Sequence, residues 1–144
     1  MATYAIEPKP GTVHGCFSRE LPPVLTIEPG DTVVYRTLDS GWGLEPPKAA
    51  GASRRSFEPR SEERDRGHAL CGPIAIRGAE PGMTLEVQIN EVRPESWGTT
   101  YAGGWENGIN ERLGVVGEEN LLLWTLDADA MVGRDQNGHM VALR

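Results

Sequence analysis

The side chains able to do chemistry in this 144-residue chain stand beside its turns. In the run His68-Ala-Leu-Cys-Gly-Pro-Ile-Ala-Ile-Arg-Gly-Ala-Glu-Pro-Gly82, an imidazole and a carboxylate flank a short apolar strand and the bend after it. Imidazole changes charge near neutral pH and ligates metals, and a positioned carboxylate transfers protons, so His68 and Glu80 are candidates for either task. His14 lies in Thr12-Val-His-Gly-Cys-Phe17. It is either a strand histidine satisfied by a backbone carbonyl or a ligand or catalytic group, with Gly15 and Cys16 small enough to let something approach. Asp39 stands at the mouth of a strand before Ser40-Gly41, either as an Asx-turn former or as a functional carboxylate. Cys71 beside His68 raises a thiol nucleophile, but residues three apart on a strand face opposite ways, which disfavours direct pairing. The spacings between His14, Asp39 and His68 form no ligand motif of their own, and Cys16 and Cys71 belong to no CxxC pair.

The elements that must position these groups read as β throughout. Thr3 to Glu7 and Thr12 to Phe17 alternate on either side of Pro8-Lys-Pro-Gly11. Val24 to Ile27 and Thr32 to Leu38 flank Glu28-Pro-Gly-Asp31, whose Pro and Gly suit a type II turn, and a hairpin is predicted there. Residues 41–67 keep no period and read as a long irregular loop with one helical turn near Ser61-Glu-Glu-Arg64, within which Trp42 is expected to line a pocket or interface. Met83-Thr-Leu-Glu-Val-Gln-Ile-Asn90, continuing to Arg93, alternates strictly and is predicted to be a strand. Thr99 to Gly117 reads as a glycine-rich excursion. Asn120 to Asp127 and Ala128 to Val132 read as a buried strand pair, and Asn137-Gly138 marks a hairpin. Pro29-Gly-Asp-Thr32 and Pro81-Gly-Met-Thr84 echo one another as turns leading into strands. The fold class expected is all-β, a single sandwich or barrel-like domain over residues 1–144 with long irregular loops.

Composition narrows the setting. Eighteen Gly and eleven Pro fall between apolar runs, as in a turn-rich β fold. A net charge of −7 argues against nucleic-acid and anionic-membrane partners. No apolar run is long enough to span a bilayer and no signal peptide is visible, so a cytoplasmic location with reduced thiols is expected.

Thr12-Val-His14 with Phe17-Ser18, Pro23-Val-Leu-Thr-Ile-Glu-Pro-Gly-Asp-Thr-Val33, Thr37-Leu-Asp39 and above all Gly72-Pro-Ile-Ala-Ile-Arg-Gly-Ala-Glu-Pro-Gly82 occur in this order. With them the chain resembles the amino-terminal part of the acetamidase/formamidase family, well over residues 12–93 and loosely elsewhere. Met83 stands where many members carry Asp, and members are considerably longer. The resemblance implies hydrolysis of short linear amides, such as formamide or acetamide, to a carboxylate and ammonia. It implies His14 and Asp39 as ligands of a divalent metal, zinc being the candidate; His68, just before the Cys71-Gly-Pro entry, is the candidate third ligand. Glu80 is then the acid/base group or a further ligand, and Trp42, Gly72 and Gly78 belong to the substrate site. A metal-bound water would supply the nucleophile. The partners implied are a small-molecule amide and either further copies of the chain or a second chain completing the site. Two other readings stand beside it: a non-catalytic β subunit pairing through exposed strand edges, and a sugar-binding sandwich using Trp42, Trp97 and Trp105.

Overall fold

The computed structural model describes residues 1–143. Short strands and one six-residue helix make up its regular structure, so the all-β class expected is the one adopted. Among the described residues no helix is long and apolar enough to cross a membrane. The elements fall in two compact units, Met1–Leu44 with Arg55–Val87, and Glu45–Arg54 with Gln88–Arg144.

The first unit carries β1 (Thr3–Ile6), β2 (Val13–His14), β3 (Leu25–Ile27), β4 (Thr32–Tyr35), β5 (Leu70–Cys71) and β6 (Ile74–Ile76). They pair two by two: β1 with β4 parallel, β2 with β5 antiparallel, and β3 with β6 parallel. The hairpin predicted across Glu28–Asp31 therefore does not form. The turn itself is present, with the Asp31 N–H donating to the Glu28 carbonyl at 3.1 Å and Gly30 at φ +87°. It serves as a corner between two sheets, because the Asp31 carboxylate also accepts from the Ala2 N–H at 2.7 Å and draws β1 beside β4. These backbone N–H bonds, Ala2 first and then Glu28, hold the Asp31 carboxyl below its ordinary value. Ile27 pairs with Ile76 at the end of the β3–β6 ladder, so the two echoing Pro-Gly turns leave the same end of one parallel pair. Ile6, Ile27, Trp42 and Phe57 are this unit's buried apolar residues.

The second unit is an antiparallel meander in the order β10-β9-β8-β7, built from β7 (Trp97–Gly103), β8 (Glu119–Asp127), β9 (Val132–Asp135) and β10 (Met140–Ala142). Its ends are open, and no sheet among the described residues closes into a barrel. The Asn137-Gly138 hairpin forms as predicted, with Gly138 at φ +90° and the Gly138 N–H on the Asp135 carbonyl at 3.1 Å. Helix α1 (Gly108–Leu113) is capped by Asn107, whose Oδ1 accepts from the Ile109 and Asn110 N–H groups at 2.9 Å.

Two stretches differ from the sequence reading. Trp97–Gly103, placed at the start of a loop, pairs with β8 over seven residues, because a long neighbouring strand supplies ladder partners that local composition does not reveal. Met83 to Arg93, read as a strand, has no strand partner among the described residues and is exposed along both faces. Alternation prepares a chain for a sheet, but a strand also needs a neighbour.

Candidate functional site

The β2–β5 pair organises the region around His14. His14 lies opposite Leu70, the Gly72 N–H reaches the Thr12 carbonyl at 2.9 Å, and the Ala69 N–H reaches the Ser40 carbonyl at 3.0 Å. Through these bonds the backbone segments bearing His14, Asp39 and His68 become neighbours, although 25 and more residues separate the first two in sequence.

His14 is only 9% exposed. Its Nδ1 lies 2.8 Å from the Cys16 carbonyl oxygen. A carbonyl only accepts, so Nδ1 carries a proton, and it is Nε2 that has the lone pair whenever the ring is neutral. The backbone-satisfied reading of His14 thus holds for Nδ1, while Nε2 has no hydrogen-bond partner among the described residues. The residue borders a cleft of about 360 Å3, whose other walls are Phe17, Ser18, Arg19, Leu21 and Pro73. Ser18 Oγ accepts from the Glu20 N–H at 3.1 Å, which leaves its own hydroxyl hydrogen to donate elsewhere. Arg19 adds a guanidinium to the same wall. Pro73 is positioned by the Val24 N–H on its carbonyl at 2.8 Å.

Behind His14 the small residues admit the chain itself. The Gly15 N–H donates to the Arg64 carbonyl at 2.9 Å, and the Gly67 N–H returns to the Gly15 carbonyl at 3.0 Å. A Cβ on Gly15 would stand 2.6 Å from the Asp65 carbonyl carbon, and one on Gly67 would strike the Gly15 carbonyl oxygen. The irregular loop predicted over 41–67 is therefore pinned at its end against β2. Trp42 lies in the core beneath that loop, 3% exposed, with its Nε1–H on the Gly67 carbonyl at 2.8 Å. Phe57 is 6.3 Å away between ring centroids, and the Arg60 guanidinium sits 5.4 Å over the indole.

The other expected site residues are distributed as follows. Asp39 Oδ2 accepts from the Gly41 and Gly43 N–H groups at 3.0 and 3.3 Å, so it forms the Asx turn that the sequence allowed. The Trp42 N–H on the Asp39 carbonyl at 2.9 Å completes this turn and holds Trp42 at φ +64°, a left-handed conformation costly for a bulky residue. His68 is exposed just before β5. Glu80 is exposed in the turn after β6, where the Met83 N–H meets its carbonyl at 3.1 Å. Gly72 is buried at φ +123°, and Gly78, at φ +77°, is exposed in the turn. None of Asp39, Trp42, His68, Gly72, Gly78 and Glu80 is among the residues lining the cleft beside His14. Among the described residues no three His, Cys, Asp or Glu side chains gather closely enough to hold a metal ion. The expected ligand set does not fit a metal within this chain as it stands: His14 Nε2 is open, while Asp39 Oδ2 is engaged by two backbone donors. Cys71 Sγ donates to the Arg36 carbonyl at 3.6 Å and burial pushes its thiol above the usual value, which opposes a thiolate nucleophile. Arg19 carries no functional mark in the sequence, and Ser18 and Pro73 stand out there only as members of the Phe17-Ser18 and Gly72–Gly82 motifs. For Arg19 the one signal available is its closeness in sequence to His14.

Comparison with known proteins adds a family. The profile of the Acetamidase/Formamidase family matches residues 3–119, which include every wall of the cleft. A formamidase-named protein of Schizosaccharomyces pombe is 31% identical over 100 residues, covering 67% of this chain and 23% of the relative. The formamidase of Methylophilus methylotrophus is 29% identical over 101 residues, covering 68% of this chain and 24% of the relative. The chain thus spans about a quarter of the length of these curated relatives. No solved structure matches it.

Proposed function

Because the chain belongs to the acetamidase/formamidase family, we propose that its His14 cleft takes part in hydrolysing a short linear amide such as formamide or acetamide. One observation carries the reading: the family-matched stretch contains a cleft bordered by a buried histidine whose Nδ1 is held by a backbone carbonyl and whose Nε2 has no hydrogen-bond partner among the described residues. Water adds to the amide carbonyl carbon as His14 Nε2 takes its proton, and the resulting imidazolium returns that proton to the departing nitrogen. The C–N bond breaks, giving ammonia and a carboxylic acid that ionises in solution. The Ser18 hydroxyl and the Arg19 guanidinium supply hydrogen bonds to the oxygen that becomes negative during addition. The apolar sides, Leu21 and Pro73, suit a small acyl group.

The divalent metal expected from the resemblance is an alternative to that base role, because one lone pair cannot both hold an ion and accept a proton: zinc, the ion to look for, would take His14 Nε2 with ligands supplied from outside this chain, and proton transfer would then fall to Glu80. Glu80 remains the alternative proton-transfer group. The test is ammonia release from formamide and acetamide by the purified chain, with metal analysis of the same sample. His14→Gln is expected to lower the rate by roughly 10²- to 10⁴-fold, the usual worth of a positioned base. An equal loss in Glu80→Gln with none in His14→Gln would move proton transfer to Glu80 and refute the role given to His14.

A second reading is favoured by the exposed apolar row Met83, Leu85, Val87 and Ile89, which has no strand partner among the described residues. In it the chain is a non-catalytic β subunit that needs another polypeptide for activity. Ammonia release by the chain alone would end that reading. The sugar-binding alternative loses one of its three tryptophans, since Trp42 is enclosed by Phe57, Arg60 and the Gly67 carbonyl.

A further inference from the structure

A second cleft, of about 270 Å3, opens beside Val13. Val13 and His14 are successive residues of β2 and face opposite ways, and the two clefts have no wall in common. Val13, Phe57 and Pro59 give this second cleft its apolar sides, and Arg60, Ser61, Arg64 and Asp65 give it its polar ones.

The polar groups differ in what they have left to offer. The Arg60 guanidinium lies 5.4 Å over the Trp42 indole with its Nε 3.6 Å from Glu58 Oε1, so it is placed before any ligand arrives. The Glu58 side chain is 64% exposed, and water screens its pull. The Arg64 backbone is fixed as well, with its N–H on Ser61 Oγ at 3.4 Å and its carbonyl accepting from the Gly15 N–H at 2.9 Å. The Arg64 guanidinium itself meets no carboxylate or carbonyl among the described residues. Ser61 Oγ accepts the Arg64 bond, which leaves its hydroxyl hydrogen to donate. Asp65 is the one acid on these walls, and its Oδ2 accepts from the Ser61 N–H at 2.7 Å. Two guanidiniums against one carboxylate give the cleft an excess of a single positive charge, in a chain whose net charge is −7.

We propose that this cleft binds a small carboxylate with a short apolar body. Guanidinium groups match the two oxygens of a carboxylate, and the Ser61 hydroxyl adds a further donor. Val13, Phe57 and Pro59 take the hydrocarbon end out of water. A monoanion balances the excess charge. A phosphate dianion would bring a second negative charge toward Asp65 and has no apolar part for the walls, and a neutral amide of the same shape offers the guanidiniums only an uncharged acceptor. The site stands independently of the amide-hydrolysis reading. Its occupancy reaches two reporters: Gly15, through the Arg64 carbonyl, and the Trp42 indole, through Arg60.

The experiment is heteronuclear NMR of the backbone and indole N–H groups of the full chain, titrated at constant ionic strength with butyrate, butyramide and inorganic phosphate. The Trp42 indole and Gly15 signals are expected to move with butyrate and to saturate with a Kd on the order of 1 mM. Butyramide and phosphate are expected to bind at least about 10-fold more weakly. Arg64→Gln removes a charge from an exposed, unpaired side chain without disturbing the fold, and weakens butyrate binding about 10-fold or more. Arg19→Gln, in the His14 cleft, leaves butyrate binding unchanged. No saturable movement at tens of millimolar butyrate, or butyramide or phosphate binding as tightly as butyrate, would overturn the proposal. A loss in Arg19→Gln equal to that in Arg64→Gln would overturn it too, by moving the carboxylate to the His14 cleft.

Discussion

Replacing Gly15 by alanine tests the packing that seats His14. The new Cβ would stand 2.6 Å and 2.7 Å from the carbonyl carbon and Cα of Asp65, and 3.0 Å from the Gly67 nitrogen, all of them backbone atoms. Reaching the ~3.5 Å of a relaxed carbon–carbon contact requires the 64–67 loop to retreat by roughly 0.9 Å. That movement stretches the Gly15–Arg64 and Gly67–Gly15 hydrogen bonds, together worth about 1–3 kcal/mol, and disturbs the Trp42 Nε1–Gly67 bond. Alanine restricts the unfolded chain and returns about 0.4–1 kcal/mol. The expected net loss is about 2 kcal/mol, a fall in Tm of roughly 5–15 °C for a domain of this size. Gly78→Ala is the comparator: its φ is +77° but nothing lies within 4 Å of the added carbon, so only a backbone penalty of about 1 kcal/mol applies. Thermal melts followed by circular dichroism, with ammonia release measured on the same samples, decide the matter. A Gly15→Ala chain melting within a degree or two of the parent would refute the close crossing of loop and strand.

Other outcomes follow from single contacts. Trp42→Phe keeps most of the buried ring but strands the Gly67 carbonyl, and urea unfolding should show a loss of about 1–2 kcal/mol. Asn107→Ala removes both side-chain bonds to the first turn of α1 and should destabilise the second unit by about 1 kcal/mol, read by hydrogen exchange at Ile109 and Asn110. Burial alone would raise the Asp135 carboxyl. Hydrogen bonds from the His139 ring and from the His139 and Asn137 N–H groups, with the charge on His139, hold it below its ordinary 3.8. A depressed carboxyl contributes stability above its unfolded value, and that contribution disappears as pH falls from 3.8 through the lower folded value. Acid titration should therefore show the β9–β10 hairpin of Asp135→Asn less stable than the parent at neutral pH, with the difference shrinking below pH 3.8; a constant difference would refute this.

Legibility in the sequence depended on how local each interaction is. Positive φ at Gly30 and Gly138 follows from Pro-Gly and Asn-Gly chemistry within four residues, and both turns form as read. The breaks at Pro8 to Gly11 and at Gly72-Pro73, and the alternation of Leu25 to Ile27, are local in the same sense. His14 could be singled out by type and by the small residues after it, but nothing in the sequence shows that its Nδ1 turns back to Cys16 and leaves Nε2 open. Arg19 and Pro73 carry no local mark of a cleft wall, because the cleft exists only where β2 and the β5–β6 segment meet.

By itself the sequence determined the all-β class, the sites of its turns, and the family motifs around His14, Asp39 and Gly72, all of which depend on short-range backbone preferences and residue type. Tertiary structure alone decided which strands pair. β3 leaves its sequence neighbour β4 for β6, and β4 turns to β1, because the Asp31 carboxylate anchors the amino terminus across the turn. It also decided that Asp39 braces a turn, that Trp42 fills the core, and that Met83 to Ile89 finds no partner within the described chain. Alternation records which side of a strand is apolar; only a neighbouring backbone makes it a sheet.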